Sequence, residues 1–325
     1  MNNRNLYFTK ASASFLLVLF TMPLGHALML VMEHTMSPTM LHYSAFVMGL
    51  AGLIIAVWGV FVIGETRQTI CVLSGGLLFW TGWVEFLMAY YAHRYGTHCD
   101  LVADGTVTTI SHYVQGVAQS HEYFINGTPL EDFTRSELKQ LRGSRPEYLV
   151  MPSTFGFFMM FALIYICCLR TGCNAINWVQ KRVFGSRRSM VVAKPMTRHT
   201  SIVTFMQLNT MLWALYLLLM FCYDPVFLGD SHPVTLAIAA GCLAGSLLIF
   251  RRQLHIRQWG ANIRMSIATV IVLWTFVELI ARNRFFNEIW VAPMEHQTEM
   301  WCILLAFILL ISVLLITNGF RKDRH

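Results

Sequence analysis

The sequence predicts an all-α polytopic membrane protein, a bundle of about eight transmembrane helices, and three observations lead to this fold class. Of the 325 residues, 56% are hydrophobic and only 13% carry a charge, which is about half the charged fraction of an ordinary soluble domain. The mean hydropathy is +0.53. The apolar residues fall into repeated runs of about 20, the length that a helix needs to cross a hydrocarbon core of ~30 Å.

Eight apolar runs have this length, and each is predicted to be a membrane-crossing helix. They lie at about 12–33, 43–64, 69–93, 150–171, 202–223, 232–250, 263–282 and 298–318. The first run is too long for a removed signal peptide and is not followed by an A-x-A-like cleavage site. We therefore expect a single transmembrane domain over residues 1–325.

The distribution of Lys and Arg predicts the orientation of these helices, because cytoplasmic loops are enriched in both residues. With eight spans, the cationic segments all fall on one side. They contain Arg4 and Lys10; Lys181, Arg182, Arg187, Arg188, Lys194 and Arg198; Arg251, Arg252, Arg257 and Arg264; and Arg321, Lys322 and Arg324. The opposite loops 34–42 and 224–231 contain neither Lys nor Arg. Both termini are thus predicted to be cytoplasmic, and the membrane to be a bacterial inner membrane.

One loop is much longer than the others. Residues 94–149 would lie on the extracytoplasmic side, where long loops are translocated despite their charges. The stretch Thr134–Leu141 is predicted to form a short helix. Because the segment has too little apolar content for a core of its own, we interpret it as a cap over the bundle.

The net charge of +7 does not indicate a nucleic-acid partner, since the cations are concentrated in the loops that set topology. The predicted partner is the lipid bilayer. The eight cysteines contain no C-x-x-C pair, so they do not predict a zinc site. Cys99 and Cys222 are both predicted at outer helix ends, where a disulfide between them stays an open alternative.

Among the titratable side chains of the apolar runs, three stand out: His26 in the first span, Glu85 in the third and Glu278 in the seventh. At 1.5 Å per residue, each lies roughly 5–12 Å from the outer end of its helix. An ionisable group within a bilayer is costly, so it needs a partner or a function. Three separate helices therefore place a polar group in one layer near the extracytoplasmic face.

Two of these residues share a helix face with another polar side chain. His26 and Glu33 lie seven residues apart, or two helical turns, on the first span. Glu85 and His93 are eight residues apart on the third span. These faces extend the polar layer toward the outer surface.

The seventh and eighth spans add further candidates. Glu278 and Arg282 have the i, i+4 spacing of an ion pair, and His296 lies at the start of the eighth span. A methionine stripe also runs through and beyond the outer half of the first span, at Met22, Met29, Met36 and Met40. Methionines at this spacing are more often packing residues than metal ligands.

Carboxylates and imidazoles that meet where water is scarce are typical of a metal site. The predicted metal ligands are His26, Glu33, Glu85, His93 and His296. The predicted catalytic residues are Glu85, Glu278 and Arg282. Iron, copper or zinc would suit these donors. The sequence thus favours a membrane-embedded metal-dependent enzyme, redox or hydrolytic, that acts on a lipidic or small membrane-soluble substrate.

Other interpretations stay open. An intramembrane histidine is often only a hydrogen-bonding residue between helices, and a Glu278–Arg282 pair can be purely structural. A transporter or metal-handling permease would use Glu85 and Glu278 as a cation relay. A structural subunit of a larger membrane complex would use the polar layer only to lock helices together. The chain contains no H-E-x-x-H motif, no histidine boxes of membrane desaturases and no P-loop.

Overall fold

The computed structural model describes residues 3–94, 107–114, 117–125, 128–129, 154, 156, 158, 174–188, 200–223, 227–229, 232–283, 285–286, 289–290 and 293–319. Its helices are α1 (Asn3–Thr35), α2 (Pro38–Phe61), α3 (Glu65–Phe79), α4 (Phe86–Arg94), α5 (Asn174–Phe184), α6 (Thr200–Tyr223), α7 (Pro233–Gln253), α8 (Trp259–Arg282) and α9 (Gln297–Gly319). A π-helical turn, Trp80–Glu85, joins α3 to α4 without a break.

Within these ranges, seven stretches are long and apolar enough to cross a membrane. They coincide with seven of the eight predicted spans, so the prediction of a polytopic helical bundle is confirmed. The predicted fourth span, 150–171, lies almost wholly outside the described residues. Two of its described residues pack on α6, because the Trp213 indole donates to the Thr154 hydroxyl at 2.9 Å and its ring lies 5.7 Å from that of Phe158.

The segment predicted as a cap contains a small antiparallel sheet that the sequence analysis did not anticipate. Its strands are β1 (Val107–Val114), β2 (Val117–Ile125) and β3 (Thr128–Pro129), in the order β1-β2-β3. Val107 pairs with Ile125, and the register shifts after His112. The β-branched and aromatic residues of β1 and β2 are typical of strands. The predicted helix Thr134–Leu141 and Cys99 lie outside the described residues.

The helices differ in how deeply they are buried. The most apolar stretches of α1, α3 and α8 have 44–50% of their residues buried, whereas those of α7 and α9 have only 17% and 11%. Large apolar side chains such as Trp58 on α2 and Trp301 on α9 are more than 60% exposed. In a bilayer these outward faces lie against acyl chains, so α1, α3 and α8 form the centre of the bundle.

A stripe of small residues brings α2 against α3 and the π-helical turn. Its members recur every three or four residues and are Ala45, Gly49, Gly52, Ala56 and Gly59. A Cβ at Gly52 would lie 2.4 Å from the backbone nitrogen of Phe79, and one at Gly82 would lie 2.5 Å from that of Gly49. Such close backbone approach is typical of membrane helix pairs. It fixes α2 directly against the turn that carries Glu85.

An ion pair joins the N-terminal parts of α3 and α8. The Arg264 guanidinium bonds to the carboxylate of Glu65 and donates to the Thr69 hydroxyl at 3.1 Å. The Arg264 carbonyl accepts a hydrogen bond from the Gln207 side chain of α6 at 3.0 Å. The N-terminal parts of α3, α6 and α8 therefore meet at one end of the bundle.

A hydrogen-bond network around Gln253 joins α1, α7 and α8 at the same end. The Gln253 amide nitrogen donates to the Ala11 carbonyl, the Asn262 side chain and the Ser266 hydroxyl. Its amide oxygen accepts from the Thr269 hydroxyl at 3.0 Å. Gln253, Asn262 and Ser266 are fully buried, so each polar group that left water has gained a protein partner.

Replacing this glutamine tests how much the network contributes to stability. We expect Gln253→Leu to lower the free energy of unfolding by about 2 kcal/mol, since a side-chain hydrogen bond in a membrane protein contributes ~0.6 kcal/mol and several are lost together. Thermal unfolding of the purified protein measures the effect. Ser246→Ala on the same helix is the control, because within the described part of the chain the Ser246 hydroxyl donates to the Leu243 carbonyl of its own turn and to no other helix. Equal melting temperatures for the two variants would contradict this assignment.

Candidate functional site

Two local irregularities of the backbone flank the predicted polar layer. In the π-helical turn the Phe86 amide bonds to the Thr81 carbonyl, five residues earlier. The extra residue in this turn changes the direction in which the following side chains point, and such turns are frequent at functional sites. On α1, Pro23 lies inside the helix and has no N–H to donate to the Leu19 carbonyl. Pro23 precedes His26 by about one turn of α1, and the π-helical turn ends at Glu85.

His26 and Glu85 are brought into direct contact. The Nδ1 atom of His26 lies 3.0 Å from Oε1 of Glu85. Their side chains are only 15% and 13% exposed. The bond joins α1 to the π-helical turn across 59 positions of sequence. The sequence analysis predicted that these two residues share a membrane layer, and the structure makes them hydrogen-bond partners.

Glu278 lines the same cavity as His26 and Glu85. The indole N–H of Trp274, one turn earlier on α8, donates to Glu278 Oε1 at 2.8 Å. The Trp274 ring in turn packs against that of Trp290, with ring centres 4.7 Å apart. Trp274 therefore holds one oxygen of this carboxylate in a fixed position.

The cavity has a volume of about 40 Å³, which is room for about three water molecules. The aromatic residues Trp80, Tyr216 and Trp274 form part of its wall, together with Thr21 and Thr81. A cavity of this size admits water, an ion or the reacting group of a larger molecule.

Below the cavity, toward the Gln253 end, the bundle is closed by apolar side chains. They lie one or two turns farther along the same helices, are at most 2% exposed, and are Leu17, Val18, Leu73, Leu208, Ile267 and Ile271. Two polar side chains lie at the same depth, but each bonds to a carbonyl of its own helix: Asn209 to that of Phe205 and Thr269 to that of Met265. Neither of them lines the cavity.

The other predicted site residues are placed differently. Arg282, one turn beyond Glu278, has its guanidinium carbon 4.8 Å from the ring centre of Tyr223. Glu33 is exposed near the end of α1. His296 is half-buried, with Nδ1 3.7 Å from the Glu299 carboxylate. None of the three lines the cavity with His26. His93 belongs to α4, and its side chain lies outside the described residues.

Several other histidines of this end have identifiable structural roles. His34 bonds to the Leu30 carbonyl of its own helix at 2.8 Å. His42 packs edge-on against the rings of Phe86 and Tyr90. His232 caps the N-terminus of α7 by accepting the Val234 amide. Among the described side chains, His26 thus differs from these three histidines in its contact with a carboxylate.

Of the four methionines in the predicted stripe, two are buried and two are exposed. Met22 and Met29 are buried, and Met29 packs in a small cluster with Phe86. Met36 and Met40 are exposed. The two buried members pack within the bundle, as apolar side chains of α1 are expected to do.

The described residues contain no group of three or more His, Cys, Asp or Glu side chains that is close enough to hold a metal ion. His26, Glu85 and Glu278 nevertheless supply an imidazole and two carboxylates to one cavity, the donor types that iron and zinc accept. This arrangement suits proton transfer directly, and metal binding only if the three side chains draw closer together.

Trp274 was not among the predicted site residues, although its i, i+4 spacing from Glu278 is readable in the sequence. Pro23 was not among them either. Both signals are local, whereas the position of Tyr216 of α6 in the cavity wall depends on the packing of the whole bundle.

Comparisons with protein-family models, with curated proteins and with solved structures find no match to this chain. Its function must therefore be argued from the site itself.

Proposed function

We propose that this protein is a membrane-embedded enzyme that uses His26 and Glu85 for general acid–base chemistry on a lipidic or small membrane-soluble substrate. The observation that supports the proposal is the 3.0 Å bond between His26 and Glu85 beside a cavity of water-molecule size. A carboxylate that accepts the Nδ1 proton of a histidine leaves Nε2 as a proton acceptor. That pairing is the usual way in which a general base is oriented.

Hydrolysis is the reaction class that this cavity suits best. A water molecule in the cavity would lose a proton to Nε2 of His26 while its oxygen attacks an acyl or phosphoryl group of the substrate. The proton then passes from His26 to the leaving group. Glu278, held by Trp274, would orient the water. The cavity is too small for an acyl chain, so the rest of the substrate would stay in the bilayer.

The orientation of the bundle is part of this proposal. The end that carries the Gln253 network also carries Lys10, Arg251, Arg252 and Arg257, whereas His26, Glu85 and Glu278 lie toward the other end. By the excess of cations in cytoplasmic loops, the cavity would face the extracytoplasmic side and both termini the cytoplasm. A bacterial inner membrane is the proposed location.

The apolar layer below the cavity favours an enzyme over a transporter. A transport path must continue as polar surface through the membrane, and the side chains beneath this cavity include the buried apolar residues Leu17, Leu73 and Leu208. A purely structural role is less well supported, since helix locking does not need a cavity beside the bonded pair.

The proposal is tested by the turnover of membrane lipids. The purified protein would be placed in nanodiscs made from the lipid extract of the cells that produce it, and lipid species would be followed by mass spectrometry. We expect wild type to convert at least one species to a hydrolysis product and His26→Ala to lose at least ~99% of that rate. His34→Ala, an exposed histidine on the same helix, is the control that keeps it. No conversion by wild type, or equal conversion by both variants, would overturn the proposal.

The metal-dependent form of the enzyme is a second candidate. It is favoured by the three donors that line one cavity, and it would place iron, copper or zinc between His26, Glu85 and Glu278. Elemental analysis of the purified protein distinguishes the two forms. The metal-dependent form requires roughly one ion per chain in wild type and its loss in Glu85→Ala. Wild type that retains activity without a stoichiometric metal excludes it.

A further inference from the structure

Helix α5 and the turn that follows it form a short cationic element outside the apolar spans. Residues 174–188 contain four cations, Lys181, Arg182, Arg187 and Arg188, and no Asp or Glu. The helix follows the predicted span 150–171, and residues 189–199 connect it to α6 at Thr200. It is thus placed between two spans, where the membrane surface is near.

One face of α5 forms hydrogen bonds with the turn that follows the helix. Arg188 folds back from the turn Gly185–Arg187 and donates to the Asn177 side chain and to the Gln180 amide oxygen. Gln180 is fully buried. These bonds fix which face of the helix is turned outward.

The outward side, which we call the basic-aromatic face, consists of Trp178, Lys181 and Arg182. The two cations follow Trp178 by three and four residues, so they flank the indole on the helix surface. All three side chains are exposed, and Trp178 is 67% exposed. A tryptophan with a cation on either side matches the layer of lipid headgroups, where the indole lies among carbonyls and the cations bind phosphates.

We infer that the basic-aromatic face of α5 docks onto an anionic lipid leaflet. Each Lys or Arg near such a surface is attracted by its negative potential. The exposed indole becomes buried among the lipid headgroups instead of lying in water. Because residues 174–188 contain four cations and no acid, the element carries a positive charge that an anionic leaflet complements. The docking does not depend on the proposed enzymatic activity.

Quenching of Trp178 fluorescence by brominated lipids tests this inference. The full-length protein would be reconstituted into vesicles of phosphatidylcholine alone or with ~30% phosphatidylglycerol, with and without brominated acyl chains. The chain has nine tryptophans, so the signal of Trp178 is the difference between wild type and Trp178→Phe. We expect strong quenching in the anionic vesicles.

Neutralising the cations is the decisive comparison. The double variant Lys181→Gln, Arg182→Gln should lower the ratio of docked to undocked helix about 30-fold and remove most of the quenching in anionic vesicles. Arg251→Gln, Arg252→Gln, two adjacent exposed cations in the last turn of α7, should leave it unchanged. Three results would overturn the inference: no quenching of Trp178 in anionic vesicles, access of aqueous iodide to Trp178 there, or equal quenching after the two cations are neutralised. These results would be expected if the face bound an acidic protein partner or no partner.

Discussion

Glu85→Gln is expected to lower the rate of lipid turnover by on the order of 10²–10⁴-fold, which is the usual contribution of a positioned acid–base group. A glutamine at this position can still accept a hydrogen bond from His26, but it removes the negative charge that stabilises the protonated imidazole. Rates measured in the nanodisc assay check this expectation, with protein amounts matched by size-exclusion chromatography.

Glu33→Gln is the matched control for the Glu85 variant, because Glu33 lies on the same end of the bundle but is exposed and does not line the cavity. We expect its turnover to stay within about twofold of wild type. If Glu85→Gln were as active as Glu33→Gln, the role of Glu85 in acid–base chemistry would be wrong. A loss of rate with an unchanged melting temperature separates a chemical defect from a folding defect.

Gly52→Ala is expected to have the largest effect on folding, a loss of about 3 kcal/mol or more in the free energy of unfolding. The added Cβ would lie 2.4 Å from the Phe79 nitrogen and 2.5 Å from the Gly75 oxygen. Both are backbone atoms, so no side chain can rotate away, and α2 must separate from α3. The melting temperature and the yield of monodisperse protein measure the loss.

Gly241→Ala on α7 controls for the effect of alanine in a membrane helix. A Cβ at Gly241 meets nothing within 4 Å, and alanine favours the helix over glycine by up to ~1 kcal/mol. We expect this variant to melt at or slightly above the wild-type temperature. Similar melting temperatures for Gly52→Ala and Gly241→Ala would show that α2 and α3 do not approach as closely as described.

The bundle and the layer of the site could be predicted from the sequence because both depend on properties that are read along one dimension. Apolar length identifies a span, and the position of His26, Glu85 or Glu278 within its span gives its depth. Depth alone does not give direction around the helix. The π-helical turn changes that direction for Glu85. The residue types between Trp80 and Glu85 do not predict the extra residue in this turn.

Which of the predicted metal ligands share a cavity was harder to predict, because the sequence gives the depth of a side chain but not its direction around the helix. Glu33 and His296 lie toward the same end of the bundle as His26, but they do not line its cavity, because sharing a depth does not bring two side chains into contact. The small-residue stripe of α2 was readable from Ala45 to Gly59, whereas its partner surface on α3 depended on the fold. The sheet Val107–Pro129 was not predicted, because its short strands differ from the surrounding loop only in their β-branched and aromatic residues.

A double-mutant cycle between His26 and Glu85 tests the central claim most directly. The free energy of unfolding would be measured for wild type, His26→Ala, Glu85→Ala and the double variant. If the two side chains act as one bonded pair, the double variant loses less stability than the sum of the single losses, with a coupling of about 1 kcal/mol. Additive losses, like those expected for the control pair His34→Ala and Glu85→Ala, would contradict a shared site.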